Sequence, residues 1–254
     1  MNEVRIKVLK VSRYELIFEV IKEKKNIKIE ELIERLNVSE ATIRRDLTFL
    51  EKAGKIRRVH GGAILVDTQE ESLIYKKEIY SEEKEKIGKF AASLVESGNT
   101  IYLDAGTSVF AMIKYLAGIE NIKVVTNGLS HIEELYNKKI ESYLIGGKMK
   151  MLTGALVGAS AVLSIRNFNF DLAFMGANAI DINGYSTPDS EEALIKSEAA
   201  SKANKTYFLC DESKLKKKSF INFYNLEDSY LITNEKDIDD NIKNKLKGLF
   251  IVNQ

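Results

Sequence analysis

The sequence predicts an α/β protein with two parts, an N-terminal winged helix-turn-helix domain followed by a Rossmann-like α/β domain. Two amphipathic helical patterns stand close together before residue 51, and short apolar runs alternate with helical patterns from about residue 82 onward. Residues 1–65 hold 15 Lys and Arg against 10 Asp and Glu, whereas residues 66–254 hold 23 against 27. A basic first part and an acidic remainder are typical of a nucleic-acid-binding domain joined to a second domain.

The first part contains a helix, a short polar break and a second helix. Apolar residues at i, i+3, i+4 and i+7 predict a helix over 29–36, and Ser39 after the break is a favourable N-cap for the next one. That second helix places three apolar residues on one buried stripe, Ile43, Leu47 and Leu50. A further amphipathic helix over 13–23 completes a three-helix core, while residues 1–12 are assigned to no element.

The second helix of such a motif enters the DNA major groove by its N-terminal residues. Its candidate DNA contacts are the polar and small side chains outside the buried stripe, Ser39, Ala41, Thr42, Arg44, Arg45 and Thr48. After Gly54, β-branched residues and the pair Gly61-Gly62 predict a two-stranded wing ending near residue 66. The wing adds three candidate contacts, Arg57, Arg58 and His60, of which we expect both arginines to meet phosphates.

The predicted domain boundaries follow from these patterns. The DNA-binding domain covers residues 1–66, a charged stretch without a stable period predicts a linker over 67–80, and the second domain covers 81–254. In the second domain strands are expected near 100–103, 122–125, 142–145, 172–175, 206–210, 230–232 and 249–252, with helices between them. Such alternation predicts a parallel sheet covered by helices on both faces.

Composition limits the class of protein. The chain has 254 residues, 44% of them hydrophobic and 30% charged, which is typical of a soluble globular protein. No apolar run approaches the roughly 20 residues needed to span a bilayer, and no signal-peptide pattern is present, so we expect a cytoplasmic protein without membrane partners. The single cysteine, Cys210, lies in an apolar run and is expected to be a buried hydrophobe.

The carboxyl ends of the predicted strands are polar and glycine-rich, and ligands of open α/β sheets bind at that edge. The candidate ligand-binding residues are those that follow strands, Asp104, Gly106, Thr107, Ser108, Thr126, Asn127, Gly146, Gly147, Asn178 and Lys214. The segment 106–108 offers backbone N–H groups and hydroxyls to a phosphate, and Lys214 offers a positive charge. No G-x-G-x-x-G follows the first strand, which favours a small phosphorylated polyol over a dinucleotide. Each residue taken singly also fits an ordinary turn or surface position.

The chain resembles the DeoR family of bacterial regulators of sugar metabolism from about residue 13 to residue 254. The resemblance lies in the segments V-S-E-A-T-I-R-R-D-L (38–47) and R-R-V-H-G-G-A (57–63), and in L-D-A-G-T (103–107), V-T-N (125–127), I-G-G (145–147), D-L-A-F-M-G (171–176) and D-E-S-K (211–214). It implies an effector domain similar in fold to ribose-5-phosphate isomerases and a phosphorylated sugar bound by the candidate residues above. The family commonly continues with threonines where this chain has Ser108-Val109.

We therefore predict a transcriptional repressor that holds double-stranded operator DNA and releases it when a phosphorylated sugar binds. Reading two half-sites about one DNA turn apart requires a homodimer or homotetramer. No cofactor, metal site or catalytic residue is predicted. One alternative is a sugar-phosphate isomerase that carries a DNA-binding domain, with Asp104, Asp171, Asp181 or Glu191 as a possible base. Another is an activator or a structural DNA-binding protein without an effector.

Overall fold

The computed structural model describes residues 2–66 and 72–252, with side chains from residue 13 onward. The chain divides into two compact units, Met1–Tyr80 and Ser81–Gln254. The elements of the first unit are α1 (Asn2–Lys24), β1 (Asn26–Lys28), α2 (Ile29–Leu36), α3 (Glu40–Lys52), β2 (Ile56–Val59), β3 (Gly62–Leu65) and α4 (Leu73–Glu78). They form a winged helix-turn-helix domain, which confirms the predicted fold class of the first unit.

Helix α3 begins and packs as its sequence predicts. The hydroxyl of Ser39 caps it by accepting a hydrogen bond from the backbone N–H of Thr42 at 3.3 Å. The predicted stripe is fully buried in the core of the unit, at Ile43, Leu47 and Leu50. Helix α2 ends at Asn37, which takes a left-handed φ of 50° and so turns the chain sharply towards α3. The two helices thus have the predicted spacing.

The wing has a third strand that the sequence did not predict. Strands β2 and β3 form an antiparallel hairpin in which Val59 pairs with Gly62, and β1 pairs with the other edge of β3. Only a glycine fits at residue 62, because a Cβ there would lie 2.1 Å from the carbonyl oxygen of Ile27. Strand β1 has only three residues, too few for a recognisable period-2 pattern.

The predicted linker over 67–80 contains structure in its second half. Residues 67–71 lie outside the described part of the chain, but α4 follows, capped by the hydroxyl of Ser72. Tyr75 and Ile79 are buried in the core of the first unit, and the ammonium of Lys55 lies 4.7 Å from the ring centroid of Tyr75. A single buried pair at i and i+4 among charged residues is too short a stripe to stand out in the sequence.

The second unit is built on a parallel sheet. Its helices are α5 (Ser81–Ala92), α6 (Thr107–Ile113), α7 (Leu129–Asn137), α8 (Ala159–Ile165), α9 (Ser190–Ser201) and α10 (Asp240–Lys243). Its strands are β4 (Thr100–Leu103), β5 (Lys123–Thr126), β6 (Glu141–Leu144), β7 (Lys148–Met149), β8 (Leu156–Val157), β9 (Phe170–Met175), β10 (Ala179–Asp181), β11 (Gly184–Thr187), β12 (Ala203–Leu209), β13 (Ile221–Tyr224), β14 (Ser229–Thr233) and β15 (Gly248–Ile251).

Seven of these strands form the main sheet in the order β15-β14-β12-β9-β4-β5-β6, with every neighbouring pair parallel. Successive side chains of β4 point to opposite faces, so that Tyr102 joins the core under α8 and α9 while Ile101 and Leu103 join the core under α5, α6 and α7. Helices therefore cover both faces, as predicted. None of the helices in the described residues is both long and apolar enough to cross a membrane.

Candidate DNA-reading surface and effector site

The exposed face of α3 carries the predicted arginines. Arg45 is exposed, and Arg44 is held by Glu40 one turn earlier, with Nε 2.7 Å from Oε1. Ala41 is exposed, and the hydroxyls of Ser39 and Thr42 lie 2.9 Å apart at the start of the helix. This end of α3 presents positive charge and hydroxyl groups to solvent, as a helix that enters the major groove must.

The two wing arginines differ in their surroundings. Arg57 is exposed, as is His60 at the turn of the hairpin. Arg58 instead donates from Nη1 to the hydroxyl of Thr48 at 2.7 Å, and that hydroxyl donates to the backbone carbonyl of Arg44 at 2.8 Å. The backbone N–H of Arg58 also donates to a carboxylate oxygen of Glu51 at 2.8 Å. Two predicted DNA contacts, Arg58 and Thr48, thus bind each other and attach the wing to α3.

A buried ion pair attaches α3 to α1. Asp46 is 1% exposed and accepts two hydrogen bonds from the guanidinium of Arg13, at 2.5 and 3.0 Å. This hydrogen bond to Asp46 raises the pKa of Arg13. Because the partner lies 33 residues away in the sequence, no helix-spacing argument could have paired the two. The pair holds the buried face of the recognition helix in a fixed orientation.

The topology of the main sheet locates the second site. From β4 the chain proceeds through β5 to β6 on one side, and from β9 through β12 and β14 to β15 on the other. The connections therefore change direction between β4 and β9, and open α/β sheets bind ligands in the crevice outside the carboxyl ends at such a switch point. Asp104 directly follows β4 and Gly176 directly follows β9 at this position.

A lysine that the sequence analysis missed joins these two strand ends. The ammonium of Lys196, on α9, donates to Oδ2 of Asp104 and, at 2.9 Å, to the backbone carbonyl of Gly176. The same Oδ2 accepts from the backbone N–H of Gly176 at 3.1 Å. Asp104 and Lys196 are 2% and 5% exposed, so this is a buried ion pair at the switch point. In the sequence, Lys196 is the one lysine on a helix face that is otherwise formed by small apolar residues such as Ala193 and Ala199.

The residues after β5 connect the ends of neighbouring strands by hydrogen bonds. Oδ1 of Asn127 accepts from the backbone N–H of Ala105 at 3.0 Å, and Leu156 donates its backbone N–H to the carbonyl of Asn127 at 2.8 Å. The hydroxyl of Thr126 donates to the carbonyl of Leu103 at 2.6 Å and lies 3.0 Å from Nδ1 of His131, a fully buried side chain. These contacts fix the distance between the ends of β4 and β5.

The glycines around the site allow close backbone approaches. A Cβ at Gly106 would lie 3.4 Å from Oδ2 of Asp104, so the turn into α6 passes directly over the ion pair. Thr107 and Ser108 follow in the first turn of α6 and are 8% and 7% exposed. Gly147 has a φ of 147°, and a Cβ there would lie 2.7 Å from the carbonyl oxygen of Val157. Gly146 precedes it, with open space where a Cβ would stand.

The remaining predicted residues follow β9 and β12. The amide oxygen of Asn178 accepts from the hydroxyl of Thr187 at 3.1 Å. Asp211 is fully buried, and its Oδ2 lies 3.7 Å from the ammonium of Lys84 on α5. Lys214 is half-buried on the 3₁₀ turn that follows. Lys84 is the second charged residue that the sequence analysis missed.

The strand ends carry charged side chains of both signs. Asp104 and Lys196 form one oppositely charged pair, Asp211 and Lys84 form another, and Glu212 and Lys214 lie on the turn that follows. Such a set can contact both the hydroxyl oxygens and the anionic group of a ligand. Within the described residues no group of three or more His, Cys, Asp or Glu side chains is placed to hold a metal ion.

Comparison with known proteins decides the family. Residues 13–69 match the DeoR-like helix-turn-helix domain, and residues 79–235 match the DeoR C terminal sensor domain. The chain belongs to the DeoR family. Both domains of the family are therefore present, in the order that the structure shows.

Among its DeoR-family relatives is FruR of Bacillus subtilis, an uncharacterized HTH-type transcriptional regulator, with 41% identity over 91% of this chain and 93% of that protein. The lactose phosphotransferase system repressor of Streptococcus mutans is 34% identical over 96% of this chain and 99% of its own length. The glycerol-3-phosphate regulon repressor of Haemophilus influenzae is 31% identical over 92% of each chain.

Solved structures similar to this DeoR-family chain include ribose 5-phosphate isomerase A of Methanocaldococcus jannaschii, with 18% identity over 53% of this chain and 54% of that chain and a TM-score of 0.40. The translation initiation factor eIF-2B of Pyrococcus horikoshii covers 82% of this chain and 71% of its own, with 16% identity and a TM-score of 0.42.

Proposed function

We propose that this chain is a DNA-binding transcriptional repressor of a sugar-metabolism operon that a phosphorylated sugar releases from its operator. The observation that carries the proposal is the presence in one chain of a recognition helix with exposed arginines and a polar switch-point site with buried ion pairs. Curated relatives named as repressors of the lactose phosphotransferase system and of the glycerol-3-phosphate regulon support it.

We propose distinct roles for the residues predicted to bind DNA, and among them Arg58 and Thr48 hold the wing against α3. Arg44 and Arg45 are positioned to read base edges or phosphates in the major groove, and Arg57 to contact a phosphate. Two recognition helices are needed for two half-sites about one turn apart, so we propose a homodimer or a homotetramer as the active form.

Release requires that the sugar phosphate bind the arrangement that cannot hold DNA more tightly than the arrangement that can. A tenfold loss of DNA affinity corresponds to a difference of about 1.4 kcal/mol between the two affinities. The proposed contacts for the ligand are the backbone and hydroxyls at Thr107 and Ser108, the ammonium of Lys214, and the polar groups around Asp104.

We also propose that the site binds sugar phosphates without converting them. A proton-abstracting base must reach the carbon next to a carbonyl. Here both buried carboxylates at the strand ends, Asp104 and Asp211, have a cation beside them, and Asn178 offers an amide. Turnover of a pentose or hexose phosphate that is abolished by Asp181→Asn would contradict this part of the proposal.

The test measures DNA binding and release together. Labelled DNA from the region upstream of the chain's own gene is titrated by fluorescence anisotropy, first with protein alone and then with glucose 6-phosphate, fructose 1-phosphate, fructose 6-phosphate, ribose 5-phosphate or glycerol 3-phosphate. We expect salt-sensitive binding and release by at least one of these phosphates but not by the matching free sugar. If each phosphate leaves the anisotropy and the melting temperature of the protein unchanged, the proposed effector site is wrong.

A further inference from the structure

The Asp104–Lys196 pair at the switch point has hydrogen-bonding capacity that the protein leaves unused. An ammonium has three N–H donors, and that of Lys196 uses two of them, on Oδ2 of Asp104 and on the carbonyl of Gly176. Oδ2 of Asp104 accepts from Lys196 and from the backbone N–H of Gly176, whereas Oδ1 has no hydrogen-bond partner within residues 13–66 and 72–252. One donor and one acceptor therefore remain next to each other.

The pair carries no net charge, which indicates the kind of group that it binds. A phosphate brought against Lys196 would also meet the carboxylate of Asp104, and two anions in contact at a buried position repel strongly. An uncharged oxygen group meets no such penalty. A hydroxyl donates to Oδ1 of Asp104, and an oxygen on the neighbouring carbon accepts from Lys196.

We infer that Asp104 and Lys196 bind two adjacent oxygen groups of the sugar part of the effector, a vicinal diol or a hydroxycarbonyl, and that its phosphate binds elsewhere in the site. This inference rests on the proposed function and adds a ligand class and a residue to it. Lys196 is then a specificity-determining residue, because a ligand without those oxygens leaves a buried donor and a buried acceptor unpaired.

The geometry around the pair supports a binding role. Asp104 and Gly176 follow the two strands that flank the switch point, and Lys196 bonds to both of them. Gly106 places no side chain over the carboxylate, and a Cβ at that position would lie 3.4 Å from its Oδ2. A pair that served stability alone would gain nothing from this position, because a buried ion pair rarely stabilises more than apolar residues of the same volume.

The test uses a variant that keeps the shape of the pair and removes its charges. In Asp104→Asn with Lys196→Gln, two amides of similar size replace the carboxylate and the ammonium and can still bond to each other. A single Lys196→Met variant would leave the carboxylate of Asp104 buried without its cation, so it serves only as a second comparison. The control is Lys205→Met, which removes an exposed lysine at the amino end of β12, the opposite edge of the sheet.

The full-length proteins are compared by titration calorimetry with each sugar phosphate that releases the wild type from DNA, and with inorganic phosphate by thermal shift. We expect the double variant to bind DNA like the wild type, to lose at least about tenfold in affinity for the sugar phosphate, and to respond to inorganic phosphate unchanged. The variant then stays on DNA at sugar-phosphate concentrations that release the wild type and the Lys205→Met control.

Several results would overturn the inference. Sugar-phosphate affinity that stays within twofold of the wild type would show that the pair does not touch the ligand. An equal loss for inorganic phosphate would show that the pair binds the phosphate group. A double variant that no longer binds DNA and melts far below the wild type would show that the pair is structural. If no sugar phosphate binds the wild type, the proposed function fails instead, and the inference fails with it.

Discussion

Replacement of the two wing arginines, one at a time, tests how the wing contacts DNA. Arg57 is exposed, whereas Arg58 donates to the hydroxyl of Thr48 at 2.7 Å and so connects the wing to α3. We expect Arg57→Ala to remove a phosphate contact. We expect Arg58→Ala to loosen the wing while it leaves the number of neutralised phosphates unchanged.

The salt dependence of binding separates these two effects. Each phosphate contact contributes about 0.9 to the slope of log K against log salt, so two bound copies of Arg57→Ala should lower the slope by about 1.8. When the salt concentration rises fourfold, the fold-decrease in DNA affinity should then be roughly twelve times smaller for the variant than for the wild type. Arg58→Ala should keep the wild-type slope and lose about 0.5–1.5 kcal/mol per copy at any one salt concentration, the worth of its hydrogen bond.

The assay is fluorescence anisotropy with upstream DNA between 50 and 200 mM salt, and Thr48→Val provides the matched partner for Arg58. Because the two side chains bind each other, the double variant should cost less than the sum of the single variants. A slope for Arg58→Ala that falls as far as that of Arg57→Ala would refute the reasoning. It would mean that Arg58 leaves Thr48 for a phosphate when DNA binds.

Two further predictions concern buried groups. Asp46→Asn removes the charge opposite Arg13 and should lower the free energy of unfolding by about 1.5–3 kcal/mol in urea titrations, while exposed Glu23→Gln should leave it unchanged; equal midpoints for both variants would contradict this. Burial raises the pKa of Cys210 to about 12, so this only cysteine should react with an aromatic disulfide reagent at pH 8 far more slowly in native than in urea-unfolded protein. Because the unfolded thiol ionises near pH 8.5, its contribution to stability should be lost as pH rises from about 9 to 12.

The fold could be predicted wherever a pattern repeats along one element. Helix α3 has a cap at Ser39 and a stripe of three buried apolar residues over about two turns, and most main-sheet strands contain short apolar runs. Strand β1 and helix α4 are different, because each depends on a contact made elsewhere in the chain. The β1 strand forms because Gly62 lets β3 approach it, and α4 is held by burial of Tyr75 and Ile79.

Only those residues of the site that follow strands could be predicted from the sequence. Asp104 and Asn127 come directly after strands and Lys214 lies on the turn that follows β12, so the topology rule alone brought them to one edge. Lys196 and Lys84 come from helices that pack over that edge, and nothing in their spacing indicates which strand end they reach. The only sequence signal for such a lysine is a charged residue on an otherwise apolar helix face. That signal indicates that the lysine is buried, but it does not indicate which residue it binds.

Two of the arginines predicted to contact DNA already have partners within the protein. Arg44 is paired with Glu40 at 2.7 Å and Arg58 with Thr48, so a base or phosphate must displace an internal partner before either can bind it. An exposed pair such as Glu40–Arg44 is worth only about 0.3–0.5 kcal/mol, less than the roughly 1–3 kcal/mol of a good guanine contact. Arg44 can therefore exchange Glu40 for the right base, while a weaker contact at a wrong base recovers less of the cost. The cost of breaking the Glu40 pair is the same for every base, so it lowers affinity without adding discrimination, while we expect Arg45 and Arg57, both exposed, to add attraction to any DNA sequence.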